Sequence, residues 1–391
     1  MKEVRVGIIG IGNRGSGELK TVYGGEIKGM RVTAVCDIDP AKLEWAKELC
    51  GNDVNYYDDA DKLMESGDVD AVMIAAPHYF HPVMGMKALD LGLHVLSEKP
   101  IGVYTSIIRD WNKKAEEKAK EKGLVFGIMY NQRTNPLYQM VREMIQSGEL
   151  GTPKRLIWII TDWYRTQSYY NSSAWRATWA LEGGGVLINQ CPHNIDLWQW
   201  MFGMPKRLRA NCYIGKYHDI EVEDDVTVYA EYENGATATF ITTTGEAPGT
   251  NRLEIACDNG KVVIEDGKGT YWKLKTPTSE HCKNFPDGFA KPEYEVIEMK
   301  PEGVETAHKG ITQNFTNAIL HGEKLLAPGV EGINGLMLSN AMMLSGSQDG
   351  AWVDLPVDEE AFNAFLAEKV KHSKVKPASG SSGIVDLEGT Y

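Results

Sequence analysis

No two of the six cysteines stand as C-x-x-C; Cys36, Cys50, Cys191, Cys212, Cys257 and Cys282 are scattered along the chain. That excludes a disulfide framework and a zinc ribbon, and points to reduced thiols packed inside a cytoplasmic protein. Positive charge is also short. Lys and Arg number 41 against 54 acids, a formal net charge of −13, and no basic stripe stands out, so no nucleic-acid partner is expected. Long apolar runs are missing: nothing approaches the ~18 residues of a membrane span, and no membrane partner is expected. A first strand starting at Val4 leaves no room for a signal peptide, so none is expected either. Internal repeats are absent.

What the chain does have is 391 residues with 42% apolar content, enough for two or three domains of ~100–200 residues each. The first forty residues organise the rest. An apolar run, Val4 to Ile9, breaks at Gly10-Ile11-Gly12-Asn13-Arg14-Gly15, and a second run, Arg31 to Cys36, ends in Asp37 followed by Ile38. This is G-x-G-x-x-G after a strand and before a helix. Gly10 permits the tight turn, Gly12 lets a pyrophosphate approach the backbone, and Gly15 lets helix and strand pack closely. Amide N–H groups at the helix start then face the phosphates. Asp37 accepts hydrogen bonds from the adenosine ribose and repels a 2′-phosphate, so the expected cofactor is NAD rather than NADP. The gap from Gly10 to Asp37 exceeds the usual ~20 residues, and a surface loop at Tyr23-Gly24-Gly25-Glu26 accounts for the excess.

Strand and helix patterns alternate to about residue 130, which predicts a doubly wound parallel sheet over 1–130. Ligands bind such sheets beyond the carboxyl ends of the strands. The Gly10 turn, Asp37, Pro77 to His81, Glu98-Lys99 and Tyr130 to Arg133 all fall at such ends. A second domain is expected over 131–372, with a helix at 136–147, a strand at 153–162, an aromatic stretch over 163–182, and a helix running from Gly183-Gly184-Gly185 through Phe202. Hairpins turn at Asn234-Gly235 and Asn259-Gly260, and helices span about 306–320, 332–348 and 358–372. The tail over 373–391, with its Pro-Ala-Ser-Gly-Ser-Ser-Gly run, is expected to be mobile.

Four motifs together resemble the Gfo/Idh/MocA family of NAD(P)-dependent oxidoreductases, over about residues 4–358: the glycine loop, Pro77-x-x-x-His81, Glu98-Lys99-Pro100, and the triple glycine followed by His193-x-x-Asp196. The resemblance implies an α/β protein, a Rossmann domain plus an α/β domain with a large, mostly antiparallel open sheet that often forms homo-dimers or tetramers. It also implies a catalytic Lys99 and a substrate-touching His193. Family members commonly carry an aspartate four residues before that histidine. Here the position is Asn189, which can hold a hydroxyl but cannot take a proton, so an ionised second group is lost. The stretch Asn189-Gln190-Cys191-Pro192-His193-Asn194-x-Asp196-Leu197-Trp198 is similar to members acting at C3 of glycosides.

The chemistry also stands on the residues. Oxidising an alcohol by hydride transfer needs a base for the hydroxyl proton, and the reverse needs an acid. Lys99 at a strand end and His193, with a reference pKa of ~6.5, are the expected catalytic pair, with Asn189 one helical turn before His193. Candidate cofactor contacts are Gly10, Ile11, Gly12, Asn13, Arg14, Gly15, Asp37, Ile38, Pro77, His78, His81, Glu98, Trp175 and Arg176. Candidate substrate contacts are Tyr130, Asn131, Arg133, Tyr164 and Asn189. The stretch Trp163, Tyr164, Tyr169, Tyr170, Trp175, Trp179 reads two ways, as a cover for the sheet or, with Arg165 and Arg176, as a face for a sugar ring. Asp196 reads as structural. His193 with Asp196 has no second ligand cluster, so no metal is expected. The expected function is NAD-dependent oxidation of a secondary hydroxyl of a sugar, glycoside or cyclic polyol to a ketone, or the reverse. Two alternatives stand beside it: a tightly bound NAD used for transient oxidation during glycosidic cleavage, and a non-catalytic NAD- or sugar-binding regulator.

Overall fold

The computed structural model describes residues 2–374. Its first half alternates β1 (Val4–Ile9), α1 (Asn13–Tyr23), β2 (Met30–Cys36), α2 (Pro40–Cys50), β3 (Asn55–Tyr57), α3 (Ala60–Glu65), β4 (Ala71–Ile74), α4 (Phe80–Asp90), β5 (His94–Ser97), α5 (Thr105–Lys122) and β6 (Phe126–Ile128). The six strands form a parallel sheet in the order β3-β2-β1-β4-β5-β6. The order reverses between β1 and β4, which opens a crevice at their carboxyl ends. Every side chain of β4 is buried, as a strand covered on both faces requires. Helix starts follow local chemistry: Asp39 caps α2 by accepting the Ala41 N–H, with Pro40 at the first helical position.

The second half contains α6 (Pro136–Gln146), β7 (Pro153–Ile160), α7 (Gln167–Asn171), α8 (Pro192–Phe202), β8 (Arg207–Ile214), β9 (Glu223–Glu231), β10 (Thr237–Thr243), β11 (Asn251–Cys257), β12 (Gly260–Glu265), β13 (Lys268–Leu274), α9 (Thr278–Asn284), β14 (Tyr294–Met299), α10 (Ala307–His321), α11 (Gly332–Ser347), β15 (Val353–Asp354) and α12 (Glu359–Lys371). Nine strands pair as β14-β13-β12-β11-β7-β10-β9-β8-β15, antiparallel except for β7 with β10. α8 docks on this sheet through Trp198, whose ring stacks on Phe240 at 5.7 Å and 15°. α11 lies alongside, with Ser339 Oγ donating to the Leu187 carbonyl at 3.2 Å. α10 leaves its own half to pack on the parallel sheet, where Gln313 accepts the Lys28 N–H at 2.8 Å.

Several expectations need correction. The helix expected from Gly183 begins only at Pro192. The intervening residues form turns, with Asn189 N–H bonded to the Gly185 carbonyl and Cys191 N–H to that of Val186. Proline lacks the N–H to continue such a coil and biases its predecessor away from helix. The second hairpin turns on Asp258-Asn259, because Gly260 already pairs with Cys257. Strands β8, β13 and β14 and helix α9 were not anticipated. β14 is an edge strand with five of six residues exposed, so it lacks the apolar alternation that marks a half-buried strand. Of the tail, Ser373 and Lys374 are tied down: Ser373 Oγ accepts the Ala180 N–H at 3.1 Å and Lys374 N–H reaches Glu221 at 2.8 Å. The expectation of mobility otherwise falls on residues 375–391, outside the described residues.

Candidate active site

The glycine loop is built on close backbone contacts. Gly10 has φ +85°, and a Cβ there would sit 2.7 Å from the Ala75 carbonyl oxygen. A Cβ on Gly15 would lie 1.8 Å from the Gly10 carbonyl oxygen, so helix and turn touch backbone to backbone. At Gly12 a Cβ would meet nothing within 4 Å, and no side chain caps α1. The first-turn amides are therefore left for an anion, and the residues present fit a dinucleotide pyrophosphate. Asp37 stands beside this loop, its Oδ2 accepting the Ile11 N–H at 2.8 Å and its Oδ1 the Asp39 N–H at 2.9 Å. Ile38 is 89% exposed while Ile11 is buried, so Ile38 offers an apolar surface and Ile11 anchors the loop. Asn13 accepts Ser16 Oγ on its carbonyl at 3.0 Å, within the first turn.

At the end of β4, Pro77 is exposed and His78 and His81 are buried. His81 clamps two turns together, its Nδ1 lying 2.7 Å from the Pro100 carbonyl and its Nε2 2.6 Å from that of Ala76. His78 Nδ1 lies 3.0 Å from the Glu182 carbonyl, and its ring meets Trp175 edge-on at 5.7 Å. Trp175 and Arg176 thus arrive at the cofactor crevice from the second half. The Arg176 guanidinium stacks on Tyr169 at 4.3 Å and donates to its hydroxyl at 2.6 Å.

At the end of β5, Glu98 is buried, and burial holds its carboxyl above the usual range. Its Oε2 accepts the Lys99 N–H at 3.2 Å. Lys99 Nζ donates to the Asn189 main-chain carbonyl at 2.7 Å. His193, in the first turn of α8, is 1% exposed. Burial first, then the charges of Lys99, His308 and Arg14, push its imidazole well below the ordinary value, so it rests neutral. Tyr130 meets that ring edge-on at 6.3 Å, and burial and the Asp196 charge keep its phenol protonated. Asn131 is buried with its Oδ1 unpartnered among the described residues, a free acceptor.

Asn189 is not on the helix that carries His193; it lies in the turn before it, with its side-chain amide donating to Glu182 Oε1. Arg133 is the plainest correction. Its guanidinium is fully buried and gripped by Asp196 at 2.8 and 2.7 Å and by Glu331 at 2.5 Å. Those bonds make it a brace between α8 and the turn before α11. Tyr164 is half exposed. The aromatic stretch divides: Trp163, Tyr170 and Trp179 are buried, whereas Trp175 meets His78 and Arg176 lies over both Trp175 and Tyr169.

Two groups escaped the sequence. One is Glu182, a buried carboxylate that accepts the Asn189 side-chain amide. The other is a cluster of Glu18 on α1, Glu98 after β5 and His308 on α10, whose potential ligand atoms lie within 4.8 Å of one another. Burial and the Glu98 charge push Glu18 up to about 7, and burial pushes His308 down to about 3. These residues are 80 and 210 positions apart, so no motif links them. A separate hollow of about 540 Å³, lined by Arg5, Asp70, Gly92 and His94, lies at the amino ends of the strands, the opposite end from Lys99.

Comparison with known proteins agrees with this geometry. The family model for the GFO/IDH/MocA oxidoreductase family with an NAD-binding Rossmann fold matches residues 4–130, and that for the GFO/IDH/MocA C-terminal domain matches 138–263. A scyllo-inositol 2-dehydrogenase (NAD(+)) of Bacillus subtilis is 24% identical over 60% of this chain, which spans 65% of that relative. An inositol 2-dehydrogenase/D-chiro-inositol 3-dehydrogenase of Lactiplantibacillus plantarum is 24% identical over 95% of this chain and 98% of its own. The WlbA dehydrogenase of Chromobacterium violaceum, solved with NADH and UDP-GlcNAcA, superposes with a TM-score of 0.77 at 25% identity, covering 92% of this chain and 97% of that one. A levoglucosan dehydrogenase shares the fold, with a TM-score of 0.72 at 18% identity over 90% of this chain and all of its own.

Proposed function

This chain belongs to the GFO/IDH/MocA family of oxidoreductases, and from that premise we propose that it is an NAD-dependent dehydrogenase oxidising a secondary hydroxyl of a cyclic polyol, sugar or glycoside to a ketone, or catalysing the reverse. The observation that carries the reading is a pair from the two halves: Lys99 after β5, held 2.7 Å from the Asn189 carbonyl, and the buried neutral His193 at the start of α8, whose imidazole feels the Lys99 charge. When bound, NAD supplies the hydride acceptor. The chain's residues do the rest. The glycine loop and α1 hold the pyrophosphate, and Asp37 and Ile38 meet the adenosine. Pro77, His78, His81, Glu98, Trp175 and Arg176 form the walls on the nicotinamide side. His193 takes the hydroxyl proton, and the Lys99 ammonium donates to the same oxygen as negative charge develops there. Tyr130, Asn131, Tyr164 and Asn189 remain substrate contacts in this reading. The names of the relatives put inositols first among substrates to try. Screening inositols, sugars and glycosides for reduction of NAD, read by nicotinamide absorbance, tests it; no turnover on any of these classes rejects it.

The reading extends to a homo-oligomer, dimer or tetramer, working in the cytoplasm. Supporting it are six free thiols and apolar side chains left open on the nine-stranded sheet, Tyr213 and Ile214 on β8 and Tyr294 and Val296 on β14. No helix among the described residues is long and apolar enough to cross a membrane. Light scattering that returned a monomer at micromolar concentration would reject the oligomer.

A further inference from the structure

Position 189, four residues before His193, is an uncharged asparagine. The tertiary structure sets a carboxylate against it from elsewhere. Glu182, the residue before the triple glycine, is 2% exposed. Its Oε1 accepts the Asn189 side-chain N–H, its Oε2 accepts the Ala177 main-chain N–H, and its own carbonyl meets His78 Nδ1 at 3.0 Å. Asn189 in turn accepts the Lys99 ammonium on its main-chain oxygen at 2.7 Å. One residue, Asn189, therefore joins a buried carboxylate to the lysine.

We propose that Glu182 is a positioning residue for the proton-handling pair, fixing Asn189 and through it the Lys99 ammonium. The proposal rests on the dehydrogenase reading above. An ionised carboxylate only accepts, so it forces Asn189 to present Nδ2 to it. Oδ1 is then turned away from the carboxylate, where it can accept from a substrate hydroxyl. The same carboxylate places a compensating negative charge near Lys99, which an aspartate at 189 would otherwise supply. The groups around Glu182 are Arg176 and Lys99 of opposite charge, His78 through the main chain, and Tyr170 and Glu223 as further titratable neighbours. Burial pushes Glu182 up to about 7, while Arg176, the two N–H donors and Lys99 oppose the rise. A group poised there passes between its two forms in the neutral range, so the hold on Lys99 varies with pH.

The test uses full-length protein with NAD, comparing wild type with E182Q and the double variant E182Q/N189D. Competitive acetylation of lysines across pH, read at the Lys99 peptide by mass spectrometry, reports the ammonium directly and needs no turnover. Losing an opposite charge lowers a lysine's pKa. The Lys99 midpoint should fall by roughly 0.5–1 unit in E182Q and return in the double variant, where the carboxylate sits at 189 instead. On whichever polyol or sugar is oxidised, E182Q should lose kcat by roughly tenfold or more, below the ~10²–10⁴-fold of a group that moves the proton itself. NAD affinity should hold, the kcat–pH profile should shift, and the double variant should recover much of the loss. E182Q that keeps the Lys99 midpoint and pH profile and loses only thermal stability makes Glu182 a structural carboxyl and overturns the proposal. Should E182Q fail to fold, the double variant decides alone, and a lowered Lys99 midpoint in it overturns the idea. Should no substrate be oxidised by wild type, the dehydrogenase reading fails while the acetylation result still settles the coupling of Glu182 to Lys99.

Discussion

Lys99 Nζ donates to the main-chain carbonyl of Asn189 at 2.7 Å, across 90 positions of sequence. The bond joins the end of the parallel sheet to the turn before α8, and it brings the amine to the side of the crevice that carries His193. In the proposed dehydrogenase a lysine held there serves proton transfer, not the adenosine end of a cofactor. Lys99→Ala should therefore lose most turnover, about 10²–10⁴-fold in kcat, while NAD still binds. His193→Ala should fall in a similar range, and the double variant should lose less than the product if the two act as one unit. Near-normal kcat in Lys99→Ala would remove Lys99 from the mechanism.

Asp37, the proposed ribose contact, takes the Ile11 N–H at 2.8 Å. NAD should bind more tightly than NADP, because a 2′-phosphate would meet this carboxylate. Asp37→Ala should narrow the gap from both sides, easing NADP and weakening NAD as the glycine loop loses its tie to β2. Fluorescence titration with the two cofactors checks this; equal affinities in wild type would contradict it.

Arg133 and Asp196 form a buried bidentate pair, with side chains 0% and 1% exposed. Arg133→Met leaves the buried Asp196 carboxylate without its cation and should cost about 3–5 kcal/mol of stability, and Asp196→Asn should cost less, since Glu331 still pairs with Arg133. Their losses should not add, since the two share one interaction. Denaturant unfolding measures both. A raised KM with unchanged stability in Arg133→Met would restore it as a substrate contact.

Glu18 carries a stability signature with a definite sign. Its folded pKa of about 7 lies above the ~4.3 of an exposed glutamate. Below pH ~4.3 both states hold the proton and the full contribution is present; as pH rises towards 7 the unfolded state releases its proton first, and the contribution is lost. Glu18→Gln removes this dependence. The difference in melting temperature, variant minus wild type, should grow from pH 5 to pH 8. A difference that stays flat over that range means Glu18 titrates as an ordinary carboxylate in the folded protein.

The sequence by itself determined the parallel half and its ligand end. The signals there are local: apolar runs of strand length, a glycine spacing that backbone sterics demand, and an acid at a strand tip. It also named Lys99 and His193 through short motifs. What only the tertiary structure decided is which partners those residues have. Asn189 left the helix because Pro192 restarts the chain, and its amide found Glu182 across a turn of glycines. Arg133 looked like a site residue at a strand end, yet Asp196 lies 63 positions on and Glu331 198 positions on. Glu18, Glu98 and His308 meet only because α10 folds back onto the parallel sheet. Burial and the charge of a distant neighbour set whether a carboxyl braces, titrates or positions, and neither is written in the spacing of residues along one segment.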